Sequence, residues 1–295
     1  MYNLYISFNN NAFSTSADAF SFVIDLLHFS PQAVSSHRSF TGGYNDFNRE
    51  KTLESFTLNN DKSFQIADDI YLNGDELNAV LYRQDDQKCI QYFVFTFEVL
   101  NRSWLKNMID TVNEKGFYFG FYTDMYKTIW QDRIFFDEFM KQKPVSSLKL
   151  KMHWHPLLSK INNEEVIDIF QNPGHKIMTY GTWLMAAPEM WFGKQSWQHF
   201  KKEKIKSFEK AQKIEEINND LLYVKLFDAE TEDYESKDIL DLQTAFREHS
   251  EMNKIEKELD EICMMKSNEK NSKILVKAIR IDNDGETNDN SIANQ

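Results

Sequence analysis

Residues Ile90–Leu100 read IQYFVFTFEVL. Aromatic and β-branched side chains dominate the run and no glycine or proline interrupts it, which predicts a central strand buried on both faces. Upstream, Leu77–Arg83 is placed to be its hairpin partner. Downstream, Ser103 is placed to cap a helix reaching about Glu114, and Gly116 to end it. A second strand follows at once at Phe117–Thr123, FYFGFYT, where Gly120 lets a neighbouring backbone approach closely. An amphipathic run at Met125–Gln142 then stops before Pro144. This order of elements predicts a βαβ-like layer and an α/β chain, with α+β as the alternative: a mixed sheet packed with several helices.

Towards the N-terminus, Tyr2–Phe8 alternates like a strand, and Ala17–Phe29 carries Phe20, Ile24 and Leu27 on a helical stripe with Asp18 in its first turn. From Ser35 to Ile70 the pattern is irregular; Gly42–Gly43 marks a turn, and Leu53, Phe56 and Leu58 form an apolar element whose type the period leaves open. Towards the C-terminus, Leu148–His155 alternates, Asn163–Gln171 reads as a short helix, and Asn172-Pro173-Gly174 as a turn. A strand is expected over Lys176–Ala187, a charged helix over Ser196–Asn218, a strand over Leu221–Phe227 and a helix over Ser236–Asp260. Ile274–Ile281 offers one more strand. With no internal repeat and no Pro/Ser-rich linker, residues 1–265 are expected to form a single domain, followed by a polar extension over 266–295 that is disordered from about 282.

The chain has 295 residues, 24 of them Phe, against only 9 Gly and 5 Pro, which favours long elements over a turn-dense sandwich. Its formal charge of −12 is spread over both halves and hides no basic arm, so nucleic acid is not an expected partner. A cationic protein is the better match. Cys89 and Cys263 lie far apart with no CxxC, the N-terminus lacks a basic, apolar leader, and no long uncharged apolar run is present. A cytoplasmic protein of bacterial origin, making no membrane contact, is expected.

Motifs for chemistry are scarce. His153 and His155 lie two apart on an alternating segment and could share one ion, with His175, Glu164 or Glu165 as the third ligand; the alternative is a hydrogen-bonded structural pair. The incomplete ligand set leads us to expect no metal, and no cofactor either. No GxSxG, HExxH or phosphate-binding loop occurs, and neither cysteine has a nearby histidine. Asp68–Asp69 and Asp85–Asp86 read as solvated pairs. Asp282, Asp284 and Glu286 resemble a calcium loop whose glycine is misplaced and whose last carboxylate is missing.

Two segments suit recognition. Tyr180–Trp197, YGTWLMAAPEMWFGKQSW, holds three of the six tryptophans and reads as core or as partner pocket. Pro188 implies a bend that places Glu189 and Trp191 by the rings, where the carboxylate would face a cation and Trp191 would anchor an interface. Trp183 is expected in the buried strand. Asp228–Asp238, DAETEDYESKD, is either a solubilising loop or an anionic lure for a basic protein; Asp228, Glu230, Glu232, Asp233 and Glu235 are its candidate contacts.

Met190–Gly193 (MWFG), Tyr223–Asp228 (YVKLFD), the acidic loop and Leu242–His249 (LQTAFREH) together make residues 180–252 resemble the immunity proteins of bacterial polymorphic-toxin and type VI secretion systems. The resemblance implies a non-catalytic cytoplasmic α/β protein that binds a cognate toxin or effector and occludes its active site. A metal-dependent hydrolase built on His153 and His155 and a non-catalytic adaptor are the competing readings.

Overall fold

A computed structural model describes residues 1–36, 45–59, 61–68, 78–99, 101–132 and 167–266. Its frame is one ten-stranded sheet. The strands are β1 (Tyr2–Asn9), β2 (Ala33–Ser36), β3 (Asn45–Asp46), β4 (Ser63–Ala67), β5 (Ala79–Asp85), β6 (Ile90–Phe97) and β7 (Phe117–Asp124). The short pair β8 (Ile177–Met178) and β9 (Trp183–Leu184) stands apart, and β10 (Glu189–Phe192), β11 (Lys213–Asn218) and β12 (Leu221–Lys225) complete the large sheet. Their spatial order is β11-β12-β10-β7-β1-β6-β5-β4-β2-β3.

The expected sheet with its helices is present, and every pairing in it is antiparallel. β6 and β7 both run antiparallel to β1, so they are parallel to each other, and α3 (Arg102–Glu114) crosses between them. The βαβ layer is therefore split by the N-terminal strand. Leu4 faces Phe95 on one side and Tyr122 on the other. Asn101, one residue ahead of α3, accepts the Trp104 amide at 3.0 Å and is the cap that Ser103 was expected to be. Gly116 ends the helix at φ +74°, where a side chain would be strained.

Both faces of the middle strands are buried. On one, Leu4, Ile6, Phe8, Phe93 and Phe95 pack with α1 (Ser16–Ile24), α2 (Arg49–Asn59) and α3. On the other, Phe119, Phe121, Met190 and Val224 pack with α5 (Lys202–Lys206), α6 (Lys237–His249) and the helix α7 over 252–266. A helix of one turn, α4 (Met125–Thr128), follows β7. Continuous apolar runs at β6 and β7 are the direct result of this double coverage.

Several expectations need correction. Residues 196–218 do not form one helix: a 3-10 turn at Lys194–Gln198 and α5 are followed by β11. β11 is the sheet's edge, with Glu215, Glu216 and Lys213 along it, and an edge strand that carries charge on both faces gives the same polar reading as a solvated helix. The 236–260 helix breaks at Ser250 and Glu251, the latter at φ +61°. The 176–187 strand is a hairpin of β8 and β9 turning at Gly181, φ +79°. α1 ends at Ile24, short of Leu27. Of the helix expected over Met125–Gln142 the described part keeps only α4, with turns at 129–132, and of that expected over Asn163–Gln171 only a 3-10 turn at Ile169–Gln171; residues 133–142, 148–155, 163–166 and 274–295 lie outside the described residues.

Gly193 of the MWFG run has a steric reason. A Cβ there would stand 2.2 Å from the Phe117 carbonyl oxygen and 2.8 Å from its ring, while the Gly193 amide donates to Tyr118 O at 2.9 Å. Gly193→Ala is expected to lower stability by about 1–3 kcal/mol, read as a shifted urea midpoint, because backbone would have to move. An unchanged midpoint would show that this crossing has room to spare.

Candidate functional site

β10 presents Glu189 and Trp191 on the same face, two residues apart. Across the sheet, Tyr223 of β12 lies opposite Trp191, and their rings are 5.3 Å apart. α3 flanks this end of the face without covering it. The result is a cleft of about 490 Å³ between α3 and strands β10, β12 and β11. Leu105, Ile109 and Ile217 supply apolar wall; Lys106, Asp110, Glu215 and Glu216 stand around it.

Glu189 is 1% exposed. Its Oε2 accepts from Arg102 Nη1 at 2.7 Å and from the Tyr223 hydroxyl at 2.7 Å. Its Oε1 is buried and has no hydrogen-bond partner among the described residues. Burial, reinforced by the Glu189 carboxylate, pushes the Tyr223 hydroxyl above the usual phenol range, so it stays a donor. Arg102 is half exposed, lies 5.6 Å over the Tyr122 ring, and has Nη2 3.9 Å from Glu230. Arg102 thus joins the cleft to the acidic loop. The cation that Glu189 faces is Arg102 of this chain. Neither Arg102 nor Tyr223 was singled out from the sequence.

Of the other expected contacts, Glu230 reaches this cleft through Arg102, and the five differ in exposure. Glu230 and Asp233 are exposed, Asp228 and Glu232 half-buried, and Glu235 buried. Asp228 accepts the Glu230 amide at 3.0 Å, which holds its carboxyl below the usual range; Asp233 accepts the Glu235 amide at 3.1 Å. The loop is fastened from beneath by Lys127, whose Nζ donates to the carbonyls of Ala229 (3.1 Å), Glu230 (2.9 Å) and Glu232 (2.9 Å). Tyr234, 1% exposed, plugs under it and accepts the Asp124 amide at 3.1 Å.

Trp191 departs from its expected place. It lies inside β10, 4% exposed and part of the core, and does not stand on a bend. Pro188 ends the irregular segment before the strand, a position where its missing N–H breaks no ladder bond. Trp183, expected in the buried strand, is half-buried with its ring 5.6 Å from Tyr5.

Glu216 is tied to Lys202 at 2.6 Å and Lys206 at 2.8 Å, and these bonds hold its carboxyl down to about 2. His153, His155, Glu164 and Glu165 lie outside the described residues, so the metal reading gains no geometry. Among the described residues no three of His, Cys, Asp and Glu are grouped to hold a metal ion, and no helix is long and apolar enough to cross a membrane. Comparison with family models, with curated proteins and with solved structures returned no match.

Proposed function

We propose that this protein is a binding protein of the immunity type, which captures a basic toxin or effector domain and occludes its active site. One observation carries the reading. The acidic loop is fixed by Lys127 on three of its carbonyls, so Glu230 and Asp233 are held at the surface, with Glu230 next to an aromatic cleft. A charged rim beside a less polar centre is how recognition surfaces divide labour, the rim steering encounter and the centre supplying affinity. Rigid charges also lose little entropy on binding. The chain's charge of −12 acts in the same direction at long range.

The test is co-expression with the secreted product of the neighbouring gene. A stable complex and restored growth are expected; failure of any neighbouring product to bind in pull-down would end the immunity reading. Within such a complex, reversing Glu230 and Glu232 to Lys should slow association by about tenfold or more at low ionic strength, with the difference shrinking as salt is raised. Dissociation should change less. A rate insensitive to both substitutions at low salt would move the interface away from this loop.

A further inference from the structure

We infer that the cleft around Glu189 is a binding site for a small organic cation, a primary ammonium or guanidinium on an apolar body. The inference stands apart from the toxin-binding reading and needs no protein partner.

The first reason is Glu189 Oε1. A carboxylate oxygen buried in a residue 1% exposed, with no donor among the described residues, lacks the hydrogen bonds that such an atom otherwise has. Its sister oxygen is already held by Arg102 and Tyr223, both at 2.7 Å, so the carboxylate is fixed in direction. What Oε1 lacks is an N–H or O–H donor. Because Glu189 lines the cleft, a ligand inside can supply one.

The second reason is the character of the walls. Leu105, Ile109, Trp191, Tyr223 and the 40%-exposed Ile217 are the apolar and aromatic part of the lining, and about 490 Å³ is within the range of small-molecule sites. A single side chain of a docked protein would leave most of that volume unfilled. The open acceptor selects the sign. Among the other charged groups of the lining, Glu215 is paired with Lys213 and Glu216 with Lys202 and Lys206, while Lys106 and Asp110 carry opposite charges one turn apart on α3. A carboxylate ligand has no N–H to give Glu189 Oε1 and would be repelled by it, whereas a cation supplies the donor and gains the faces of the Trp191–Tyr223 pair.

Isothermal titration of the purified full chain with tyramine and with agmatine tests this, with 4-hydroxyphenylacetate as the anionic counterpart of tyramine. Saturable binding of at least one amine at one site per chain is expected, and none for the anion. Glu189→Gln should weaken the amine by about tenfold or more. Should that variant fold poorly, Ile217→Arg provides the second measurement: it sets a built-in cation at the mouth, leaves the Arg102–Glu189–Tyr223 contacts in place, and should weaken the amine to a similar extent. Reversal of Glu232 to Lys should leave amine binding in place, which separates this site from the toxin interface. The inference is overturned if neither amine saturates by about 10 mM, where even millimolar affinity would be visible, if the anion binds as tightly as the amine, or if binding survives both cleft substitutions.

Discussion

Replacing Trp191 by alanine is expected to cost about 3–5 kcal/mol of stability, and replacing Trp183 only about 1–2 kcal/mol. Trp191 is 4% exposed and lies in a strand paired on both sides, opposite Gly120 of β7 and Tyr223 of β12. It belongs to the same cluster as Leu105, Ile109 and Tyr122, so truncation would leave a void between the sheet and α3 that β10, bonded on both sides, cannot move in to fill without breaking ladder bonds. Trp183 is half-buried on a two-residue strand outside the main sheet, and its neighbours Tyr5 and Tyr92 keep other contacts. Denaturant melts with matching slopes would give both values. Equal losses, or a greater loss at Trp183, would mean that the hairpin and not β10 holds this end of the sheet. The same result bears on function: a Trp191 variant that loses partner or amine binding must be shown to be folded before the loss is assigned to contact.

The misplacement of Trp191 shows where the sequence was legible. IQYFVFTFEVL and FYFGFYT announced themselves because strands covered on both faces carry apolar side chains at nearly every position, a pattern few other settings give. Gly120 was readable for the same reason: a Cβ there would meet the Tyr5 carbonyl at 3.2 Å and the Phe117 ring at 3.3 Å. Edges are another matter. β11 pairs with β12 while most of its side chains face solvent, so little in Lys213–Asn218 distinguishes it from a charged helix. Pro188 suggested a bend, yet its carbonyl accepts the Leu226 amide at 2.8 Å and so carries the pairing up to the strand's first residue.

For the site, Glu189 and the acidic run could be found from composition, and a cation near Glu189 could be argued from charge. Its identity could not. Arg102 lies 87 residues away at the start of α3, and only the split βαβ crossover brings it over Tyr122. Tyr223 sits in an alternating strand that reads as half core and half surface, with no mark of a role. Lys127, which fastens the loop, acts on carbonyl oxygens, and a contact made to backbone leaves no complementary residue to look for.

The second large effect should come from the opposite face. Arg247, 2% exposed, donates from Nη2 to Glu256 Oε1 at 2.6 Å and lies 2.5 Å from His175 Nε2, while His175 Nδ1 is 2.5 Å from the Asn172 carbonyl. His175 Nε2 also lies 3.2 Å from Glu256 Oε2, so the ring sits between the arginine and its carboxylate. Asn172 in turn donates to Gln131 O at 3.1 Å, and Gln131 reaches Tyr234 O at 3.3 Å and Gln243 at 3.1 Å. A continuous buried polar network therefore runs from α7 to the residue that plugs the acidic loop. Arg247→Met should cost about 3–5 kcal/mol, because it leaves the Glu256 carboxylate buried without its cation. Adding Glu256→Met should recover a large part of the loss, since a buried pair replaced by apolar side chains of similar volume is close to neutral. The double-mutant cycle would read this as strong coupling. In the single mutant, amides of the Tyr234–Ser236 turn should exchange faster than those of the β1–β6 pair, because their anchor is loosened while the sheet is not. Additive losses with unchanged exchange in that turn would show that the two ends of the network are independent, and that the loop owes its rigidity to Lys127 alone.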